Sequence, residues 1–195
     1  TLEMLADAGF LQEDAQAVMA RITPVASIAD AVTGASHVQE SVREDVEIKR
    51  EVFAEVSRYA PVEAILASST STIRGTLFMG QIANPERALV AHPVNPPALI
   101  PVVELCATQW TSPQALEKTR VFMKSAGMEP VTVLKEIDGF ILNRLQYTLV
   151  AEAMHLVGEG YCSAQDIDKI MTSGLALRWA SIGPFEVAHL NSTHG

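Results

Sequence analysis

Short apolar runs that end in polar or turn residues recur along this chain, and they constrain the fold more than any other feature. Residues 64–67, 88–91, 101–106 and 131–134 are such runs, and a weaker run spans residues 36–41. Continuous apolar runs of this length, bounded by turn residues, are typical of strands buried on both faces of a sheet. The pattern therefore predicts a sheet whose strands are largely interior.

Helical patterns lie between some of these runs. Over residues 45–58 the apolar side chains of Ile48, Val52, Phe53 and Val56 form one stripe. A second helix is predicted to begin at Pro113, with Ser112 as its cap, and to end before Gly127. Strands that alternate with helices are typical of an α/β fold.

After Asp138 the apolar positions follow helical spacing only. One helix is predicted over residues 138–159, and a capping box at Ser163 opens another that stops near Gly174. The sequence therefore predicts a partial doubly wound, Rossmann-type sheet over residues 1–136. An all-helical C-terminal domain follows over residues 137–195.

Composition excludes several classes of protein. The 195 residues are 48% hydrophobic and carry a formal net charge of −9, which argues against a nucleic-acid or anionic membrane partner. Cys106 and Cys162 lack a CxxC spacing, so neither a disulfide framework nor a cysteine zinc site is expected. No apolar run reaches the ~18 residues of a membrane helix, and the first residues do not resemble a signal peptide. We expect a cytoplasmic protein without a metal.

Polar residues at the ends of the predicted strands are the candidate functional residues. Ser71 follows one strand, His92 ends a second, and Asn143 comes after a fourth, while Glu104 lies within the third. Ligands of open α/β sheets bind beyond the carboxyl ends of the strands. A buried carboxylate needs a partner, and Glu104 can accept a hydrogen bond from one ring nitrogen of His92. Ser71 and Asn143 can both donate to an oxygen that gains negative charge.

Each of these residues also has a plain structural interpretation. His92 before a proline can be a satisfied core or loop histidine, and a Ser/Thr run after a strand is often simple turn chemistry. Asn143 can bond locally at a helix start, and Glu104 can be an edge-strand carboxylate in water. From the residue types alone both interpretations stay open.

Four ordered motifs resemble those of the L-3-hydroxyacyl-CoA dehydrogenase family. They are Ser68-Ser69-Thr70-Ser71, His92-Pro93-Val94-Asn95-Pro96-Pro97, Val103-Glu104-Leu105 and Asp138-Gly139-Phe140-Ile141-Leu142-Asn143-Arg144-Leu145. The spacings also match, with 21 residues from Ser71 to His92 and 12 from His92 to Glu104. The resemblance covers the chain from about Ala35 to its last residue.

The resemblance implies a role for each residue and NAD as the cofactor. His92 would be the catalytic base that takes the proton of the substrate's 3-hydroxyl, and Glu104 would orient it. Ser71 and Asn143 would bind the reacting oxygen. The residues implied in cofactor binding are Glu44, Lys49, Ser69 and Asn95. For Lys49, a solvated ion pair with a neighbouring carboxylate is an equally good interpretation.

Two departures from the family pattern refine this resemblance. Ser69 stands where hydroxyacyl-CoA enzymes usually have Asn, and Pro93-Val94 replaces two aromatic residues. The chain is in these respects similar to the lambda-crystallin and L-gulonate 3-dehydrogenase branch, whose members accept free 3-hydroxy acids. That branch makes Arg178 a candidate anchor for the substrate carboxylate. An interhelix ion pair is the alternative for Arg178.

The family places a GxGxxG phosphate loop at its start, and these residues contain no such motif after a strand. We therefore expect a chain truncated at both ends. The leading hypothesis is an NAD-dependent dehydrogenase that oxidises the 3-hydroxyl of an L-3-hydroxy acid or a 3-hydroxyacyl-CoA. The rival hypothesis is a structural lambda-crystallin-like protein with little activity. The resemblance also implies a homodimer formed through the helical domain.

Overall fold

The structure is a computed structural model that describes residues 2–11 and 13–192. The chain separates into two compact units, residues 1–140 and 141–195. In the first unit the helices are α1 (Leu2–Asp7), α2 (Ala15–Met19), α3 (Ile28–Val32), α4 (Val46–Tyr59) and α5 (Pro113–Ser125). Its strands are β1 (His37–Glu40), β2 (Ile65–Ser68), β3 (Ala88–Pro93), β4 (Val102–Ala107) and β5 (Glu129–Val133). The α/β class expected from the sequence is confirmed.

The strands form one sheet in the order β1-β2-β3-β4-β5. The first three are parallel to one another, β4 is antiparallel to β3, and β5 is parallel to β4. Only the carboxyl ends of β1, β2 and β3 therefore meet at one edge of the sheet. Asn143 was expected at this edge because it follows the fourth predicted strand. That reason was wrong, since this strand is β5 and its carboxyl end lies at the opposite edge of the sheet.

Two apolar layers cover the two faces of the sheet. On one face Leu66 and Val90 pack with Phe53 and Val56 of α4. On the other face, Leu89 and Leu105 pack with the buried Ala115 and Met123 of α5. Alternate residues of a strand point to opposite faces, so each strand supplies both layers. We refer below to the α4 face and the α5 face of the sheet.

Side-chain caps begin both long helices of this unit. Asp45 Oδ1 accepts from the backbone N–H groups of Glu47 at 2.9 Å and Ile48 at 3.1 Å. Ser112 Oγ accepts from the N–H of Ala115 at 3.1 Å, with Pro113 as the first helical residue. Such caps satisfy N–H groups that have no partner within the helix, and each contributes about 1 kcal/mol. The cap predicted at Ser112 is where the sequence places it.

Residues after β5 return along the sheet toward the carboxyl ends of β2 and β3. Gly139 N–H donates to the carbonyl of Thr72 at 3.0 Å, and Asp138 pairs with Arg74 at 2.9 Å. Gly139 and Phe140 have positive φ values of 77° and 48°, which a helix does not tolerate. The helix predicted from residue 138 therefore begins four residues later, and Phe140 is buried in the first unit.

The second unit is helical: α6 (Leu142–Gly158), α7 (Ala164–Ile170), a π-helical turn (Met171–Leu175), α8 (Ala176–Ser181) and α9 (Pro184–Leu190). Ser163 caps α7 as predicted. The predicted stop near Gly174 was wrong, because the π turn joins α7 to α8 without a break. Within the described residues, these helices bury no side chain fully. None of the helices described here has the length and apolar character that a bilayer crossing demands.

Candidate active site

His92 and Glu104 face each other across the antiparallel strands β3 and β4. They are direct partners in the strand register, and His92 Nδ1 lies 3.0 Å from Glu104 Oε2. Directly opposite residues of an antiparallel pair project their side chains to the same face. That face is the α4 face, because Val90 and Cys106, two residues away on each strand, belong to its core. The spacing of 12 residues in sequence thus becomes a direct contact.

Burial removes the plain interpretation of Glu104. The residue is 2% exposed and His92 is 5% exposed. β4 lies between β3 and β5, so Glu104 is not an edge-strand carboxylate in water. A carboxylate taken out of water needs a hydrogen-bonding partner, and His92 provides one.

The contact with Glu104 occupies one ring nitrogen of His92, Nδ1, and leaves the other, Nε2, outside this contact. An ionised carboxylate only accepts hydrogen bonds, so beside an ionised Glu104 the protonated nitrogen of a neutral His92 ring is Nδ1, and Nε2 keeps a lone pair. The ring of Phe140 lies beside His92, with 5.7 Å between the ring centroids. An imidazole with one nitrogen tied to a carboxylate and the other available can take up a proton, and the carboxylate then balances its charge.

The loop that carries Ser71 is held by Glu44. One carboxylate oxygen, Oε1, accepts from the N–H groups of Ser71 at 3.0 Å and Thr72 at 2.9 Å, and from the hydroxyl of Thr70 at 2.6 Å. Partial burial by itself raises the pKa of Glu44. The hydrogen bonds from Thr70 and Thr72 and the charge of Lys49 outweigh it and lower the pKa to about 2. Ser71 itself is exposed, and Glu44 fixes the backbone beneath it.

Lys49 lies at the centre of a buried ionic cluster that we define as Glu40, Glu44 and Lys49. Its Nζ is 2.9 Å from Glu40 Oε1 and 3.3 Å from Glu44 Oε2, and its side chain is 1% exposed. Lys49 does pair with Glu44, five residues earlier, but the expectation of a solvated pair was wrong because Lys49 is buried. Ser68 Oγ donates to the other oxygen of Glu40 at 2.6 Å, so the cluster also ties β1 to β2.

Asn95 lies just beyond β3 in the turn that leads to β4. Its side chain is exposed, and the Asn95–Pro96 peptide bond is cis. The turn is closed by the N–H of Val94, which donates to the carbonyl of Val102 at 3.0 Å. Asn95 therefore stands three residues from His92 at the edge where β1, β2 and β3 end.

Asn143 and Arg178 belong to the second unit. Asn143 is half-buried in the first turn of α6, and Arg178 is exposed on α8. In the first unit the structure brings His92 to Glu104, and Glu44 to Lys49 and the Ser71 backbone. Asn143 follows Phe140, the neighbour of His92, by three residues in sequence.

The sequence reasoning missed Gln39 and Glu40 at the end of β1. Glu40 is 5% exposed and takes part in the ionic cluster. Gln39 lies on the α5 face, where its Nε2 donates to Ser69 Oγ at 2.7 Å and to the carbonyl of Ala91 at 2.9 Å. The sequence did contain a signal for them, because Gln39 and Glu40 are adjacent polar residues at the end of a predicted strand. The next predicted strand also ends in serines.

Comparison with known protein families identifies the family of this chain. Residues 1–137 match the family model described as 3-hydroxyacyl-CoA dehydrogenase, NAD binding domain, and residues 139–195 match the C-terminal domain of the same enzymes. The chain belongs to the 3-hydroxyacyl-CoA dehydrogenase family. The resemblance seen in the four motifs is thereby confirmed.

Individual proteins are similar to this chain over most of its length. A lambda-crystallin homolog of Bos taurus is 43% identical over 98% of this chain and 60% of its own length. An L-carnitine dehydrogenase of Oceanobacillus iheyensis is 41% identical over 87% of this chain and 55% of its own length. The solved structure of 5-formyl-3-hydroxy-2-methylpyridine 4-carboxylic acid 5-dehydrogenase, an NAD+-dependent dismutase, superposes with a TM-score of 0.82 at 36% identity. That alignment covers 86% of this chain and 54% of the other.

The chain thus spans 54–60% of the length of these three relatives. NAD is the cofactor of the first domain of the 3-hydroxyacyl-CoA dehydrogenase family. The uncharged side chains of Ser69 and Asn95 are hydrogen-bonding groups just beyond the carboxyl ends of β2 and β3, and His92 lies near the end of β3 at the same edge of the sheet. Uncharged donors and acceptors suit the carboxamide and ribose of a nicotinamide nucleoside. The residues present therefore fit the nicotinamide half of the cofactor.

Proposed function

We propose that this chain forms the catalytic part of an NAD-dependent dehydrogenase that oxidises the 3-hydroxyl of an L-3-hydroxy acid or its CoA thioester to the 3-oxo product. One observation carries the proposal: a buried histidine and a buried glutamate, 3.0 Å apart, at the edge where β3 ends. Membership of the 3-hydroxyacyl-CoA dehydrogenase family supports the same class of reaction.

In the proposed reaction His92 acts as the general base. Its Nε2 takes the proton of the 3-hydroxyl as the C–O bond of the substrate becomes a carbonyl. The electron pair of the C3–H bond leaves as hydride, which bound NAD accepts. Glu104 keeps Nδ1 protonated and stabilises the imidazolium that forms. His92 then holds the proton until it is released to solvent or, in the reverse direction, returned to the oxygen.

Ser71 and Asn143 are proposed to hydrogen-bond the reacting oxygen. Hydrogen-bond donors placed at an oxygen whose charge changes stabilise the transition state more than the ground state. The backbone bonds from Ser71 and Thr72 to Glu44 support this role, because they fix the loop that carries the Ser71 hydroxyl. The support for Asn143 is its position in the sequence, three residues after Phe140, whose ring lies beside His92.

Four residues are proposed to serve the cofactor: Ser69, Asn95, Glu44 and Lys49. Ser69 and Asn95 stand where direct contacts to the nicotinamide half are possible. The side chain of Glu44 is 37% exposed, so a ligand can reach it from solvent. Lys49 is buried, and its proposed contribution passes through Glu44, which it holds in place.

A free 3-hydroxy acid is the substrate that we favour over a CoA thioester. One relative is an L-carnitine dehydrogenase, and carnitine is itself a free 3-hydroxy acid. Arg178 is exposed on α8, and its guanidinium can bind a carboxylate with two parallel hydrogen bonds. We propose Arg178 as the anchor of the substrate carboxylate. Loss of Arg178 should then raise KM for free acids but not for a CoA thioester.

The test is NADH formation by the complete protein with L-gulonate, L-carnitine, L-3-hydroxybutyrate and 3-hydroxybutyryl-CoA. Removal of the base in His92→Ala should lower kcat about 100-fold or more. His155→Ala is the matched control, because His155 is an exposed histidine of α6 with no proposed role. Wild-type turnover in His92→Ala would sink the mechanism.

A structural role is the second candidate, and similarity to lambda-crystallin homologs favours it. A protein with a purely structural role requires no buried histidine–glutamate pair at a sheet edge. Absence of NADH formation with all four substrates, together with a folded protein, would favour the structural role over the enzyme.

The assembly and the compartment are also proposals. We propose a homodimer formed through the second unit, because Leu145, Met154 and Leu177 on its helices are more than 60% exposed. Exposed apolar side chains of this size are typical of an interface. A mass from light scattering that equals one chain would contradict the dimer. The two free cysteines, Cys106 and Cys162, support a reducing, cytoplasmic compartment, which cell fractionation would test.

A further inference from the structure

A row of neutral polar groups crosses the α5 face of the sheet at the ends of β1 and β2. His37 Nε2 is 3.0 Å from Gln39 Oε1, Gln39 Nε2 is 2.7 Å from Ser69 Oγ, and Ser41 Oγ is 3.1 Å from the same Ser69 oxygen. His37, Gln39 and Ser69 project to this face because the positions alternate along each strand and β1 pairs in parallel with β2. The ionic cluster and the His92–Glu104 pair lie on the α4 face.

The direction of each hydrogen bond that Gln39 makes follows from one backbone carbonyl. Gln39 Nε2 lies 2.9 Å from the carbonyl of Ala91, which can only accept. The atom beside Ala91 is therefore the amide nitrogen, and the amide oxygen of Gln39 must face His37. His37 Nε2 then carries a proton and donates to that oxygen. The second amide hydrogen of Gln39 points to Ser69.

Ser69 Oγ consequently accepts two hydrogen bonds, one from Gln39 and one from Ser41. A hydroxyl has two acceptor lone pairs and one proton to donate. With both lone pairs occupied, Ser69 can act toward any further partner only as a donor. In the part of the chain that the structure describes, no group accepts this proton, and the backbone N–H of Ser69 is already bonded to the carbonyl of Glu40 at 2.8 Å.

We propose that Gln39 is a positioning residue that makes Ser69 a hydrogen-bond donor to an oxygen of the nicotinamide half of bound NAD. The inference rests on the proposed function and adds the direction of the bond and the residue that sets it. Ser69 is partly exposed, and Gln39 and Ser41 are exposed, so a ligand can reach the row. The acceptor is an uncharged oxygen, either the carboxamide carbonyl or a ribose hydroxyl.

The experiment measures the Kd of NADH in the complete protein by fluorescence titration. Loss of one neutral hydrogen bond in Ser69→Ala should weaken NADH binding about 2- to 12-fold. Gln39→Met keeps the length of the side chain without its amide, and it should weaken binding by a smaller factor within that range. Gln39→Glu should weaken it at least as much as Ser69→Ala, because the carboxylate accepts the Ser69 proton. Gln114→Met, on the exposed surface of α5, is the matched control.

The decisive measurement is the double variant. If Gln39 acts through Ser69, Gln39→Met should add no loss of NADH affinity when Ser69 is already alanine. An equal loss in both backgrounds would mean that Gln39 acts through Ala91 and the strand, and it would overturn the inference. An unchanged Kd in Ser69→Ala or in Gln39→Glu would also overturn it.

Two further results separate the possible causes. A wild-type protein that binds no NADH would refute the proposed function, whereas wild-type binding with insensitive Ser69 and Gln39 variants would refute only this inference. The thio analogue of NADH carries sulfur in place of the carboxamide oxygen and is a weaker acceptor. A smaller effect of Ser69→Ala with the analogue assigns the bond to the carboxamide, and an equal effect assigns it to the ribose.

Discussion

Two groups of ionisable residues lie on the α4 face of the sheet: the ionic cluster and the His92–Glu104 pair. They differ in the hydrogen-bond partners of their side-chain nitrogen atoms. In the ionic cluster, Lys49 Nζ contacts Glu40, Glu44 and the carbonyl of Val42. In the His92–Glu104 pair, His92 Nδ1 contacts Glu104, and the described residues offer no hydrogen-bond partner to Nε2. Removing one member of a fully bonded cluster leaves a buried charge without its partner, which destabilises the fold. A histidine with one nitrogen left open can instead exchange a proton. The difference predicts that substitutions in the cluster change stability and substitutions in the pair change turnover.

The largest effect on stability is expected for Lys49→Met. It leaves the carboxylate of Glu40, which is 5% exposed, without its cation. Breaking a buried ion pair by removing one partner typically costs about 3–5 kcal/mol of the free energy of unfolding. Urea denaturation followed by circular dichroism measures this change.

The double variant Glu40→Gln with Lys49→Met is the control for that experiment. It removes both charges, so it should recover a large part of the lost stability. If Lys49→Met unfolds at the same urea concentration as the wild type, Glu40 does not depend on its cation and the contrast with the His92–Glu104 pair fails.

Glu104→Gln should have the opposite profile. A glutamine amide can still meet His92, but it cannot balance the charge of an imidazolium. We expect kcat to fall about 100-fold or more, because general base catalysis contributes about 10²- to 10⁴-fold. The free energy of unfolding should change by about 1 kcal/mol, the usual value for one hydrogen bond. Steady-state kinetics and urea denaturation on the same preparation test both parts, and normal turnover in Glu104→Gln would contradict the assignment.

Glu44 belongs to the ionic cluster and also holds the backbone of the Ser71 loop, so it connects the cluster to the candidate active site. Its pKa is lowered to about 2 in the fold, against about 4.3 in an unfolded chain. The stability from Glu44 is therefore present above about pH 4.3 and is lost as the pH falls toward 2. Solvent screening of a side chain that is 37% exposed reduces this contribution to the order of 1 kcal/mol.

Glu44→Gln should consequently lose less stability than the wild type between pH 4.5 and about pH 2.5, in thermal unfolding at matched ionic strength. Glu47→Gln is the control, because Glu47 is an exposed carboxylate on the same helix. Parallel pH curves for the wild type and Glu44→Gln would show that the carboxylate of Glu44 is not stabilised by the fold.

Part of this contrast could be predicted from the sequence. The apolar runs predicted strands β2, β3, β4 and β5 to within two residues. Burial on both faces explains the continuous signal of β2, β3 and β4. The expectation of an interior strand was wrong for β5, where only Val133 is buried. The direction of β4 was also accessible: eight residues separate β3 from β4, and a parallel crossover needs about a dozen or more. That short connection favours an antiparallel pair and hence the contact of His92 with Glu104.

Other features depend on strand pairing that one sequence does not specify. The burial of Lys49 requires Glu40, nine residues earlier on a different element, and nothing in the amphipathic pattern of α4 marks that partner. The bond from Gln39 to Ser69 requires the register of β1 on β2. The sequence shows an apolar stripe on α6 that includes Leu145. A stripe alone does not identify the element or the subunit that packs against it.

The smallest expected effect comes from His37, which belongs to the neutral row on the α5 face. Burial lowers its pKa below the ordinary value, and the hydrogen bond to Gln39 offsets this only in part. The fold therefore favours the neutral ring, and an unfolded chain binds more protons near pH 6. Stability should be complete above about pH 6.5, the ordinary pKa of histidine, and should decline as the pH falls through the lowered pKa of the folded state.

His37→Phe keeps the stacking on Phe122, where the ring centroids are 4.2 Å apart, and removes the titrating group. We expect the free energy of unfolding of this variant to fall less than that of the wild type between pH 7 and pH 5. His155→Phe, which removes an exposed histidine of α6, is the matched control. Equal slopes for the wild type and His37→Phe would mean that His37 accepts a proton without cost, and that the amide of Gln39 is not held by a neutral imidazole.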